Sequence, residues 1–171
     1  MKFLKKSDMK KIIFLDIDGV LNSQDFLLHR SKIENNDLFK YLESMIDEKA
    51  VLVLEYLCNI TKAEIVVSST WRLNHYINLK AILYLKGLNA IVIDKTPRQE
   101  CCRGCEIHQW IRDNISYLEV DSASNFKNYL ILDDDSDMLL QQKNNFVHVN
   151  NEFGLTKKYI KKSLKILDKK I

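Results

Sequence analysis

A chain of 171 residues, 46% apolar and 29% charged, suits one domain with a core of its own rather than a disordered or fibrous protein. Four glycines and one proline exclude a turn-rich all-β fold and a long flexible linker, and no apolar run reaches membrane-span length. The net charge of +3 permits an anionic partner without announcing one.

Residues 1–10 read as a basic tail with no apolar stretch of signal-peptide length, which predicts a soluble, cytoplasmic chain with reduced cysteines. Residues 11–15 read as a strand whose apolar run, Ile12-Ile13-Phe14-Leu15, is the pattern of burial on both faces of a parallel sheet. The run ends in Asp16-Ile17-Asp18-Gly19-Val20-Leu21-Asn22. Two acids one residue apart are too costly for a core unless a metal or hydrogen-bond donors meet them. The polar, irregular residues 23–36 predict a flap. Residues 37–46 and 48–57 predict one or two helices, so that 23–62 hold a flap and a small helical insertion.

A second strand, 64–68, runs into Ser69-Thr70-Trp71-Arg72. Residues 73–86 form an amphipathic pattern stopped by Gly87, and 106–117 form another. Between them, 90–93 reads as a third strand. A fourth, 129–132, leads into Asp133-Asp134-Asp135-Ser136-Asp137. A short helix over 138–144, a fifth strand over 146–149 and a last helix from an N-cap at Thr156 to about Asp168 complete the pattern.

Strands alternating with helices predict a single domain over 1–171 with a three-layer α/β/α, Rossmann-like architecture and about five parallel strands. In a parallel sheet the polar ends of strands one, two and four share one face. Clustered carboxylates suit Mg²⁺, which prefers hard oxygen ligands and keeps sites for phosphate oxygens. A serine hydroxyl with nearby backbone N–H groups holds phosphate, and an arginine clamps its oxygens. With a metal offsetting its charge, a carboxylate becomes a nucleophile toward phosphorus. A rival from another class is a phospho-accepting receiver module, in which the aspartate ending the third strand, here Asp94, takes the phosphate.

Asp16-Ile17-Asp18-Gly19-Val20-Leu21 resembles the first motif of the haloacid dehalogenase (HAD) superfamily, the strand ending in Ser68 its second, and Leu132-Asp133-Asp134 its fourth. Together with Ser-Ser-Thr-Trp-Arg and Arg-Gly-x-Glu-Ile-x-x-Trp, these motifs resemble the HAD domain of Swiss army knife RNA-repair proteins. More distantly they resemble the phosphatase half of polynucleotide kinase-phosphatases. The resemblance implies a HAD-like fold with a minimal cap, so that the site is open to a large substrate such as an RNA or DNA end. It implies Asp16 as nucleophile, Asp18 as general acid and base, and Ser68 and Arg103 as phosphoryl-holding catalytic groups. Lys95 and Arg98 are the other choices for the cation of the third motif. Gly19, Ser69, Thr70 and Arg72 would bind substrate. Asp16, Asp18, Asp133 and Asp134 would hold Mg²⁺, with Asp137 in support. The activity implied is a phosphomonoesterase acting through an aspartyl-phosphate. A nucleotidase or small-metabolite phosphatase, or an inactive HAD-like binding module, stands beside it.

Two aromatic and four thiol or imidazole side chains invite further roles. Trp71 is expected as a packing anchor rather than a base-stacking platform, and Trp110, at helical spacing from Ile107 and Ile111, as core. Cys101, Cys102, Cys105 and His108 have the compactness of half a zinc site. They lack a second Cys/His pair, so metal-free reduced cysteines are expected.

Overall fold

The computed structural model describes residues 10–30 and 37–167. Five strands form one parallel sheet: β1 (Ile12–Leu15), β2 (Glu64–Val67), β3 (Val92–Lys95), β4 (Tyr129–Asp133) and β5 (Phe146–His148). Their order is β3-β2-β1-β4-β5. The chain therefore builds outward from β1 in one direction and then returns to build in the other. The reversal lies between β1 and β4, and a crevice opens outside the carboxyl ends of strands at such a point.

Among the described residues, seven helices lie around the sheet: α1 (Gln24–His29), α2 (Leu38–Ser44), α3 (Glu48–Thr61), α4 (Trp71–Asn74), α5 (Tyr76–Leu85), α6 (Arg103–Asp113) and α7 (Ile160–Leu167). Alternate strand residues point to opposite layers. Ile13, Leu15, Val67, Leu130 and Leu132 pack with Leu54, Leu79, Ile82 and Ile166 on one side. Ile12, Phe14, Val66 and Ile131 pack with Ile107, Trp110 and Ile111 of α6 on the other. Phe14 meets the edges of the Trp110 and Tyr129 rings at 5.4 and 5.9 Å between centroids. This is the expected three-layer arrangement. β1 is fully buried on both faces, which explains why its apolar run shows no alternation.

Several boundaries differ from the sequence expectation, each for a local reason. The predicted flap begins instead as α1, capped by Ser23, whose Oγ accepts from Phe26 N–H at 3.2 Å. Residues 31–36 and the basic tail through residue 9 lie outside the described residues. The helix predicted from 106 starts at Arg103 and ends at Asp113. Its early start is hidden in sequence because no local side chain caps it. Asp137, from the loop after β4, accepts Arg103 N–H at 2.8 Å and supplies the cap from a distance. The long helix expected over 73–86 divides at His75, whose backbone (φ −125°, ψ 13°) leaves helical geometry. The helices predicted at 138–144 and from Thr156 are 3-10 turns over Leu140–Asn145 and Lys157–Tyr159, the second leading into α7. Among the described residues no helix is long and apolar enough to cross a membrane.

A buried carboxylate cluster as candidate active site

Strand register assembles the site. Leu15 sits opposite Val67 on one side and Leu132 on the other, so Asp16, Ser68 and Asp133 follow as the next row at the end of the sheet. Asp16 N–H still donates to Leu132 carbonyl (3.0 Å), which ties the first acid to the sheet. Beyond it the chain turns sharply: Val20 and Leu21 N–H both donate to the Ile17 carbonyl, at 3.1 and 2.8 Å. Asn22 closes the turn, accepting Gly19 N–H on its Oδ1 (2.9 Å) and donating through Nδ2 to Asp18 (2.7 Å). Gly19 has φ +70°, the region that favours glycine. A Cβ there would also run into the Asp134 carboxylate.

Asp16, Asp133 and Asp134 come together, with one carboxylate oxygen of each within 4.8 Å of the others. Arg103, from the first turn of α6, faces them. Its Nη1 donates to Asp16 Oδ1 and to the Ser68 carbonyl, both at 2.7 Å, and lies 3.6 Å from Asp133 Oδ2. Among the three basic residues considered for this position, the structure brings Arg103 to the acids. Lys95 donates to the Arg72 carbonyl and covers the Tyr76 ring, and Arg98 is exposed.

One guanidinium does not balance three carboxylates. Burial pushes Asp133 up to about 7, and the neighbouring Asp16 charge pushes the same way. Burial also raises Asp16, against the pull of Arg103, and raises Asp134, with Asp16 adding to it. Burial alone would lower Arg103, but the charges of Asp16 and Asp133 outweigh it and hold the guanidinium above its ordinary value. Asp133 Oδ2 is buried and has no hydrogen-bond partner. An orphaned, buried carboxylate oxygen in a surplus of negative charge fits a hard divalent cation. Asp16, Asp133 and Asp134 would hold Mg²⁺, with oxygen donors only.

Asp18, expected among the residues that hold Mg²⁺, does not bring its carboxylate into this cluster. Both its oxygens accept from Trp71 Nε1 at 3.1 Å, and one also takes the Asn22 bond. Trp71 is buried as expected, yet it also fixes an acid. Ser69 Oγ accepts the Trp71 N–H at 3.4 Å, and the Ser69 hydroxyl opposes the upward push of burial on Asp16. Ser68 Oγ is fully buried without a partner, and Thr70 is exposed at the start of α4.

Arg72 is the clearest correction. All five of its N–H groups are occupied: Nε by the Thr96 carbonyl (3.0 Å), Nη1 by the carbonyls of Ser68 and Ser69 (2.7 and 2.8 Å), and Nη2 by Pro97 and Glu106 (3.3 and 2.6 Å). A guanidinium has five donors, so none is left for substrate. Arg72 is a buried tie that shapes the backbone under Ser68 and Ser69 and anchors α6 through Glu106. Sequence reasoning missed Asn22, Glu106 and Asp137 as the residues that position Asp18, Arg72 and Arg103. Asn22 carried a signal as the last residue of the Asp-Gly-Val-Leu-Asn turn, and Glu106 as the acid of the Arg-Gly-x-Glu-Ile-x-x-Trp motif. His148 donates through Nε2 to the Asp134 carbonyl at 2.8 Å and lines a small cavity of about 290 Å³ with Asp134, Asn150 and Asn151.

Two rival readings lose their geometry. Asp94 accepts from Trp110 Nε1 (2.7 Å) and is not in the acid cluster, so the receiver arrangement is absent. Among the described residues the cysteines and His108 form no group of three ligands.

One protein-family model matches the chain, over residues 12–160: the HAD domain in Swiss Army Knife RNA repair proteins. No curated protein and no solved structure matches it.

Two predictions follow from the charges. Asp133 binds its proton more tightly folded than unfolded, so its stabilising contribution is present at low pH and lost as pH rises toward and through about 7. Metal-free protein should therefore melt higher at pH 6 than at pH 8, and Asp133→Asn should remove most of that difference. Mg²⁺ should raise the melting temperature at pH 8 in the wild type and not in the variant, as read by thermal denaturation. Arg72→Met should destabilise the fold by about 3–5 kcal/mol in chemical denaturation, because it leaves Glu106 buried without its partner.

Proposed function

The chain belongs to the family of HAD domains found in Swiss Army Knife RNA repair proteins, and on that premise we propose that it is a Mg²⁺-dependent phosphomonoesterase that removes a terminal phosphate from a nucleic acid. The observation that carries the reading is the union of Asp16, Asp133 and Asp134 with Arg103 at the switch point of the sheet. Bound Mg²⁺ would supply the positive charge that lets an anionic nucleophile approach an anionic phosphate.

In this mechanism the chain's own groups divide the work. Asp16 attacks phosphorus, forming the aspartyl-phosphate as the bond to the leaving oxygen breaks. Asp18 gives its proton to that oxygen, then takes one from the water that attacks phosphorus and frees Asp16. The N–H groups of Trp71 and Asn22 orient Asp18 for both transfers. Arg103, already bonded to Asp16, stands where the transferred phosphoryl oxygens arrive.

A second feature supports a polymeric substrate over a free nucleotide. A groove of about 1100 Å³ begins at Ser23, the residue after Asn22, and runs between α1, the start of α3 and residues 153–160. The rings of Tyr56 and Phe153 are half exposed there, and Arg30, Lys49 and Lys157 line the same groove. Its acids are engaged locally: Asp25 pairs with His29 and Asp47 caps α3. Aromatic faces beside cations suit single-stranded nucleic acid, each stacked base contributing about 1–3 kcal/mol.

Asp16→Asn and Asp18→Asn should abolish Mg²⁺-dependent phosphate release while keeping the folded circular dichroism spectrum; full activity of Asp16→Asn would overturn the reading. On 3′- and 5′-phosphorylated RNA and DNA oligonucleotides the wild type should turn over faster than on mononucleotides and sugar phosphates. Phe153→Ala with Lys157→Glu should raise KM for the oligonucleotide about tenfold and leave the mononucleotide rate nearly unchanged. Equal loss on both substrates would assign the groove no part in binding.

A further inference from the structure

The cysteine cluster remains unused by this mechanism, yet it adjoins Arg103, the arginine that holds Asp16. Cys102 is the N-cap of α6 and Cys105 lies one turn on, with their sulfurs 3.5 Å apart. Both thiols are partly accessible, and Cys101 beside them is exposed. Between the two stand Arg103, whose guanidinium holds Asp16, and Gly104. A Cys-x-x-Cys pair at the start of a helix is the placement in which two thiols interconvert readily with a disulfide.

We propose that Cys102 and Cys105 form a dithiol–disulfide couple whose closure, by exchange with a low-molecular-weight disulfide such as oxidised glutathione, displaces Arg103 and lowers turnover. One protein thiolate attacks the glutathione disulfide, forming a mixed disulfide and releasing one reduced glutathione. The second protein thiol, losing its proton, attacks the mixed disulfide and releases the other. Two protein thiols are oxidised to one disulfide, and one glutathione disulfide is reduced to two thiols.

The coupling to Arg103 is geometric. A disulfide needs its sulfurs about 2.05 Å apart, so closure draws in side chains now at 3.5 Å. The turn has little room to absorb this by sliding. Gly104 packs so tightly on the backbone at Leu139 and the side chain of Gln142 that a Cβ would collide with both. Gln142 also donates to the Gly104 carbonyl at 2.9 Å, and Asp137 holds Arg103 N–H. The slack lies in the turn's own side chains, and Arg103 is the one that reaches the acids. Burial, opposed by the Cys105 backbone N–H, holds the Cys102 thiol above its ordinary value.

Disulfide formation stands independently of the phosphatase reading; its effect on turnover rests on that reading. The test uses the full chain carrying Cys101→Ser, incubated with mixtures of reduced and oxidised glutathione. Free thiols under denaturing conditions should fall from three to one, with a matching loss of two mass units. Phosphate release should drop about tenfold or more, since small misplacement of a reacting group costs up to about 10²-fold, and dithiothreitol should restore it. Adding Cys102→Ser or Cys105→Ser should leave the reduced rate unchanged and abolish the response. Three thiols persisting under strongly oxidising mixtures would overturn the couple, and a disulfide with unaltered turnover would overturn its link to Arg103. If no substrate is turned over, the magnesium-induced melting shift replaces the rate: a smaller or larger shift on oxidation supports the link, and an identical one overturns it.

Discussion

Three carboxylates converge at the ends of β1 and β4, and one guanidinium answers them. This imbalance organises the molecule's functional face. Asp16 and Asp133 belong to neighbouring strands in register, so the sheet forces them together whatever their mutual repulsion. Arg103 relieves part of the repulsion and Asp135 N–H another part, through Asp133 Oδ1 at 2.9 Å. The remainder makes the empty side of Asp133 a demand for a cation. A core built for stability would place apolar side chains there; this one holds charge in reserve for a ligand.

Around the acids lies a layer of residues with no chemistry of their own. Arg72 joins the backbone after β2, the loop after β3 and α6 in one buried knot. Trp71, its neighbour, reaches back across the sheet end to Asp18. The loop after β4 caps α6 through Asp137 and so sets the height of Arg103. Each supporting residue ties together segments distant in sequence, and displacement of one is felt by several reacting groups.

That distance explains what could be read from sequence. Strand positions were legible because Ile12–Leu15 and Tyr129–Asp133 are nearly continuous apolar runs ending in acids. From parallel pairing alone, Asp16 and Asp133 had to meet. The family resemblance implies the grouping of Arg103 with them, and α6 brings its guanidinium to Asp16. At the turn after β2 the two serines differ by one residue: Ser69 Oγ takes the Trp71 N–H, whereas Ser68 Oγ is buried without a partner. Arg72 was misjudged as a substrate clamp because its partners, four carbonyls and Glu106, leave no mark on neighbouring sequence. Asp18 was assigned to the metal by motif, whereas its orientation depends on Trp71 and Asn22. The helical start of the expected flap was masked by its polar composition; Ser23 was the available cue.

The central place of β1 has a consequence for how the chain is made. Ile12 pairs with Glu64 on one side and with Tyr129 on the other. At synthesis rates of about 5–20 residues per second, the second edge of β1 waits on the order of several seconds after the first is covered. During that interval four fully apolar residues present an open hydrogen-bonding edge to any passing strand. Lysines 10 and 11 precede them and Asp16 and Asp18 follow. Charges flanking an exposed apolar strand discourage intermolecular pairing. The acids of the candidate site thus also guard the nascent chain against aggregation before that site exists.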